Sequence, residues 1–444
     1  MMKNKDLSIP DDNRVFLIRY WLILAVLALA AAGIYSLPPV ILRGPFFANI
    51  LPVEHIFATS LVLHVDLSVL VWFLSMCGVL WSFLADSKKF WIYKISFLLA
   101  ATGTLLIALS PFFGETNPLK NNYIPVLQNA AFFIGLSIFA CGIIFQVFLT
   151  LSCYRMIQSN ILNYGIYISA LIALIALICF IISHLITDTP NQSNALYYYE
   201  TIFWGGGHVL QYCFTTSMLV SWLWMSDVIG IKKILSNKQI LVLLLVNILI
   251  TLPSPLFYLL DDSGYLFTLQ MRYGGGISAL VIGGTILASC LYCGWNKTIS
   301  HNIKVCLILS IILFGYGGLL GYMISGINVT IPAHYHGSIV AITLAFIGLS
   351  YYLLPKLGFG NTDGKIATCQ PYIYGLGQII HITGLAWMGG YGALRKSAAS
   401  SHEISNIFPK LMFFIGGSLA ILGGLLFIIV VFRSLLRKSN SNNQ

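Results

Sequence analysis

The chain has 444 residues, of which 58% are hydrophobic and only 9% charged, and its mean hydropathy is +0.86. A water-soluble domain carries roughly a quarter charged residues, so a soluble enzyme is excluded and lipid is the main solvent. The formal charge of +10 sits on no basic soluble surface, which excludes a nucleic-acid partner.

In chain order, the polar start MMKNKDLSIPDDNRVFLIRYW runs into a full-length apolar segment without a small-residue cleavage site, which reads as a retained first helix. Windows of about twenty apolar residues then fall at 15–36, 57–83, 92–113, 125–151, 162–187, 198–226, 239–260, 275–294, 303–326, 331–355, 371–391 and 409–435. The expected fold is all-α, a polytopic membrane bundle of about 12 transmembrane helices. No repeat or linker divides it, so residues 1–444 read as a single transmembrane domain. Pro253 and Pro255 are expected to kink or end the seventh span. Cys290 and Cys293 form a CxxC inside an apolar segment with no second pair, which favours helix packing over a zinc or redox role.

Basic residues orient the spans. With both termini on one side, that side holds 18 Lys and Arg, including Lys3, Arg14, Lys88, Lys232 and Arg437. The other side holds 6: Arg43, Lys120, Arg272, Arg395, Lys396 and Lys410. By the positive-inside rule both termini are cytoplasmic.

An ionisable side chain at membrane depth is costly, so it has a partner or a function. Of nine histidines, His301 and His402 fall in loops and His55 just outside a helix start. His64, His184, His208, His334, His336 and His381 lie within or at the ends of spans. The tenth span opens IPAHYHGSIVAITLAF, with His334 and His336 two apart, or about 200° around a helix. Their imidazoles leave opposite faces, which suits two separate acceptors better than one shared metal. Two hemes flanking one helix meet that requirement, since each iron takes an axial imidazole. A six-coordinate heme needs a second ligand from another helix. His64, about 9 Å into the second span, is matched in depth to His336, about 6–8 Å into the tenth. His208 in the sixth span lies roughly 15 Å deep. Polar packing against Ser, Thr or carbonyl groups is the competing reading for each.

The run AHYHGSIVAITLAFIGLSYYLLP, the helix-two run VLHVDLSVLVWFL and the span count resemble subunit I of the heme-copper oxidase superfamily. The likeness is nearest to the cytochrome cbb-type oxidases and nitric oxide reductases. The specific motifs cover about sixty residues, the span count nearly the whole chain. The resemblance implies that His64 and His336 are the axial pair of a b-type low-spin heme. It makes His334 the proximal ligand of a high-spin heme whose open face binds gas. His208 matches the family histidine on the second metal. Tyr212, one turn on, resembles the helix-six tyrosine that some oxidases link to that ligand, although the cbb-type relatives place it on helix seven. The implied reaction is oxygen reduction, as in a cytochrome c oxidase, with electrons from the respiratory chain. A cytochrome or cupredoxin on the outer face or another oxidase subunit donates them, and the location is the bacterial inner membrane.

One departure stands out. The family supplies two further copper ligands as a His-His pair in helix seven, and here that helix reads QILVLLLVNILITLPSPLFYLLDD, without histidine. An imidazole copper site wants about three nitrogens. His381, mid-way along the eleventh span, is either a copper ligand or a packing or propionate-side residue. Asp66 could accept a proton or pair with a neighbouring Ser or Thr, and Arg395 and Lys396 could pair with propionates or anchor the interface. Gly205, Gly206 and Gly207 suit either a porphyrin face or close helix packing. Three rival functions remain. One is a heme relay or assembly subunit without copper. Another is nitric oxide reduction, which wants an acid where Tyr212 stands. The third is a transporter, which leaves the paired histidines unexplained.

Overall fold

In lipid a backbone has no hydrogen-bond partner but itself, so each long apolar run closes its bonds as a helix. The computed structural model describes residues 7–42, 53–154, 160–189, 194–293, 301–393 and 406–437. Its helices are α1 Arg14–Leu42, α2 Val53–Val65, α3 Trp72–Ser82, α4 Phe90–Leu109, α5 Ala130–Leu151, α6 Ile161–Ile186 and α7 Ala195–Val228. They continue as α8 Asn237–Thr251, α9 Ser263–Gly274, α10 Ile277–Cys293, α11 His301–Tyr322, α12 Thr330–Lys356, α13 Lys365–Gly390 and α14 Ile407–Leu435. Side-chain caps start several of them: Asn129 accepts from Phe132 N–H, Asn160 from Leu162 N–H, and Ser236 forms a capping box with Gln239.

Among the described residues, ten helical stretches are long and apolar enough to cross a membrane. The sixth and eleventh predicted spans, α7 and α13, are helices of 34 and 26 residues but too polar to join that count. Other boundaries also move. The fifth helix begins at Ala130 and not at 125, because a short hairpin precedes it, pairing Pro118 with Leu127 and Leu119 with Val126. The eighth span begins at Ser263, twelve residues early, because α9, carrying Gln270 and Arg272, runs on into α10 through a two-residue turn at Gly275–Gly276. Helix seven ends as expected: α8 stops at Thr251 and a 3-10 segment runs from Ser254 to Leu259. His55 and His301 lie inside α2 and α11, whereas His402 is outside the described residues.

The chain divides into two compact units. The first comprises Met1–Tyr35, Ala58–Val220 and Leu235–Ile282; the second comprises Ser36–Phe57, Ser221–Ile234 and Gly283–Gln444. In lipid, helices associate through close van der Waals contact at small residues rather than by hiding apolar surface from water. Within the first unit α4 and α5 meet at Gly103, Gly135 and Gly142, where a Cβ on Gly142 would lie 2.5 Å from Ala100 N. Ser96 Oγ donates across that seam to the Gly142 carbonyl at 2.9 Å. The outer face of α4 presents Trp91, Ile95, Leu98 and Leu105, as a lipid-facing surface should. Within the second unit α11 and α12 touch at Gly317 and Gly337, and α13 packs on α14 through Gly377 and Gly384 against Gly416 and Gly423. The fully buried Gln370 ties that corner together: it accepts from Tyr351 Oη at 3.0 Å and donates to the Gly423 carbonyl at 3.1 Å.

Candidate functional site

In the second unit, α12 carries His334 and His336 in its first two turns. The Nδ1 of His334 donates to the Gly317 carbonyl on α11 at 2.7 Å. Its approach needs Gly321, where a Cβ would lie 2.7 Å from the same nitrogen. The His336 ring instead meets His381 on α13, with centroids 5.4 Å apart and planes at 83°. Tyr335 between them is exposed. The two imidazoles therefore leave α12 toward different helices, as their spacing requires. His381 donates from Nδ1 to the Phe413 carbonyl at 2.9 Å and lies against the Phe413 ring at 4.6 Å.

In the first unit, Nδ1 of His64 donates to the Ala32 carbonyl of α1 at 3.0 Å. α2 is described from Val53, four residues before the predicted span, with Glu54 in its first turn. A π-helical segment, Asp66–Val71, follows His64 directly. Asp66 is fully buried, and neither carboxyl oxygen has a hydrogen-bond partner among the described residues.

His208 lies in α7 within a ring of aromatic side chains. Tyr123 and Trp204 are each 4.8 Å from its centroid and Phe267 is 6.2 Å away. Its Nδ1 donates to the Trp204 carbonyl at 2.8 Å. The three glycines before it receive protein, not porphyrin: Gly205 abuts Tyr258 and Phe267, Gly206 abuts Phe180, and Gly207 abuts Tyr123. Close packing is their role. Tyr123 holds a left-handed backbone (φ 65°), the one non-glycine residue to do so among the described residues, a conformation stored where the surroundings enforce it. Glu200 enforces it from α7 by accepting the Asn122 backbone N–H at 2.7 Å and the Asn122 side-chain amide. Tyr212 is fully buried and donates to the Gln270 carbonyl at 2.6 Å.

One pattern unites His64, His208, His334 and His381. Each gives Nδ1 to a backbone carbonyl. A carbonyl can only accept, so Nδ1 carries the proton and, in the neutral ring, Nε2 carries the lone pair. Metal-ligating histidines are oriented in this way. His184 and His301 pair instead with the hydroxyls of Tyr198 and Tyr372.

The sequence pattern described as Cytochrome C and Quinol oxidase polypeptide I matches residues 16–432. The chain belongs to the cytochrome c and quinol oxidase polypeptide I family. It is similar to an uncharacterised protein of Rickettsia prowazekii, 30% identical over 92% of this chain and 94% of that one. An uncharacterised protein of Aquifex aeolicus is also 30% identical, over 79% of this chain and 88% of its own. Cytochrome c oxidase subunit 1 of Thermus thermophilus is 20% identical over 94% of this chain and 84% of its own.

Members of the cytochrome c and quinol oxidase polypeptide I family bind hemes and copper. The imidazole donors of His64 and His334 fit heme iron: each ring is fixed and carries an Nε2 lone pair. They do not fit copper. Among the described residues no group of three or more His, Cys, Asp or Glu could hold a metal ion, and Pro253, Ser254 and Pro255 stand where α8 ends. Arg395 and Lys396 lie outside the described residues, as does the Cys293 side chain; Cys290 is buried in α10. Sequence reasoning missed the Asp66–Val71 segment and the Tyr123 strap. Asn121 and Asn122, turn-forming residues, were the signal for the latter.

Proposed function

We propose that this family member holds two non-covalent hemes, receives electrons from a donor on its outer face and delivers them to a gas-binding heme, with oxygen as the acceptor. The observation that carries the reading is the divergence of His334 and His336 toward α11 and α13. It is joined by the carbonyl ties that put the lone pair of His64 and of His334 on Nε2. In this reading His64 and His336 hold the low-spin iron and His334 holds the high-spin iron. A bound heme supplies one-electron chemistry and, at an open axial position, a place for a diatomic gas.

The rest is done by the chain. The Ala32 and Gly317 carbonyls fix the rings of His64 and His334, so no ring reorientation accompanies electron transfer. The aromatic ring around His208 excludes water there. α7 and α13 count as spans despite their polarity because their polar positions face protein, which gives twelve spans with both termini cytoplasmic in a bacterial inner membrane. Residues 1–444 act as one heme-binding domain, working with other oxidase subunits or a cytochrome or cupredoxin.

A second reading, an electron relay or assembly subunit that does not turn over oxygen, is favoured by the copper misfit. A reduced-minus-oxidised spectrum of the purified protein, with and without carbon monoxide, tests the first reading, with copper analysis and oxygen uptake alongside. A low-spin signal plus a carbon monoxide-reactive high-spin signal and oxygen uptake support it. Heme without gas reactivity supports the relay, and no porphyrin absorption ends both.

A further inference from the structure

An imidazole that binds a metal through Nε2 has an Nδ1–H to donate. The acceptor that takes it sets the ring's orientation and its strength as a ligand. For His64 and His334 that acceptor is a peptide carbonyl. Around His336 the rings are different: a second imidazole, His381, lies 5.4 Å away on α13, and the neighbouring Tyr335 ring lies at 5.2 Å.

The His381 ring is held from three directions. Its Nδ1–H is taken by the Phe413 carbonyl, its face lies on the Phe413 ring at 32°, and Gly417 brings α14 so near that a Cβ there would be 3.1 Å from Nδ1. The lone pair of the neutral His381 is therefore on Nε2, which can only accept. Two imidazoles joined by an N–H···N hydrogen bond, with nitrogens roughly 3 Å apart, have centroids about 5 Å apart. The observed separation is 5.4 Å.

We propose that His381 is the positioning residue of His336, its Nε2 accepting the Nδ1–H of that ring. The inference rests on the two-heme reading and deepens it. An imidazole nitrogen is a stronger base than a carbonyl oxygen, so His336 becomes a more electron-rich ligand. That favours the ferric state and lowers the potential of the low-spin heme. No proton leaves either ring, and no electron passes through His381.

The test compares the purified wild-type protein with His381→Leu and His381→Gln, side chains of similar size of which only the second can accept a hydrogen bond. The readouts are the midpoint potential and the low-temperature paramagnetic resonance of the low-spin heme. In His381→Leu the ferric-to-ferrous ratio at a fixed potential is expected to fall about tenfold, a rise of about 59 mV for one electron, with shifted low-spin g-values. His381→Gln, whose acceptor is a carbonyl oxygen, should restore part of the shift and fall between the Leu and wild-type potentials. The carbon monoxide spectrum of the heme on His334 should be unchanged in both. Equal potentials in the Leu and Gln proteins, or wild-type potentials in both, overturn the proposal. A wild-type protein without any bis-imidazole low-spin signal overturns the two-heme reading itself, a separate failure.

Discussion

Replacing Gly384 by alanine should loosen the seam between α13 and α14. The added Cβ would lie 2.5 Å from Phe413 N and 2.8 Å from Pro409 O. Ordinary contact is about 3.5 Å, so α14 must retreat by roughly 1 Å, since both obstacles are backbone and neither can rotate away. Overpacking of this kind costs about 1–3 kcal/mol, and alanine's better helix propensity returns up to about 1 kcal/mol. The expected net loss is about 1–2 kcal/mol. Gly424 supplies the control, because it lies in α14, on the other side of the same helix pair, and nothing lies within 4 Å of its position for a Cβ; Gly424→Ala should be neutral or slightly stabilising. Thermal unfolding in detergent micelles, followed by circular dichroism, measures both. Equal stability of Gly384→Ala and wild type, or equal losses in the two variants, would refute the close-contact reasoning.

Tyr351→Phe should cost about 1–3 kcal/mol, because it strips a partner from the fully buried Gln370 carbonyl oxygen; the same unfolding assay checks it. Tyr123→Gly should be more stable than Tyr123→Ala by about 1 kcal/mol, since alanine keeps the left-handed strain and glycine removes it, and equal stabilities would count against that strain. The hydrogen bond from the Arg14 guanidinium holds the Asp12 carboxyl below its ordinary value of 3.8. The folded value lies below the unfolded one, so this pair's contribution is complete above about pH 3.8 and fades as pH falls through the lower folded value. Being partly exposed, the pair is worth only a few tenths of a kcal/mol. An Asp12→Asn protein should lose that margin at neutral pH and converge with wild type in acid.

Most of the helical architecture was legible because lipid permits so few backbone solutions: an uninterrupted apolar run in this chain is a helix. The opposed faces of His334 and His336 followed from their spacing alone, since α12 is regular through both. What spacing could not supply was whatever depends on another helix. The Phe413 and Gly317 carbonyls are acceptors contributed by distant segments, and no local pattern marks a backbone carbonyl as special. The glycines before His208 were ambiguous for the same reason: the rings that fill their places come from α6, α9, the 113–129 loop and the turn after α8. α7 and α13 are less apolar than the other spans because Gln370, Gln378, His208 and their polar neighbours face the protein interior.

The six-residue π segment at Asp66–Val71 changes what the second span presents to its surroundings. Its wider turns add angular lag between the two halves of the span. Residues from Trp72 to Ser82, nearly all shielded, therefore sit at an azimuth that a regular helix drawn from His64 would not give them. The span works as two rods in series with an offset between them. Inserting or removing one residue there would turn the second rod while leaving the histidine-bearing rod where it stands, so the length of this short stretch is under tighter constraint than its ordinary apolar residues suggest.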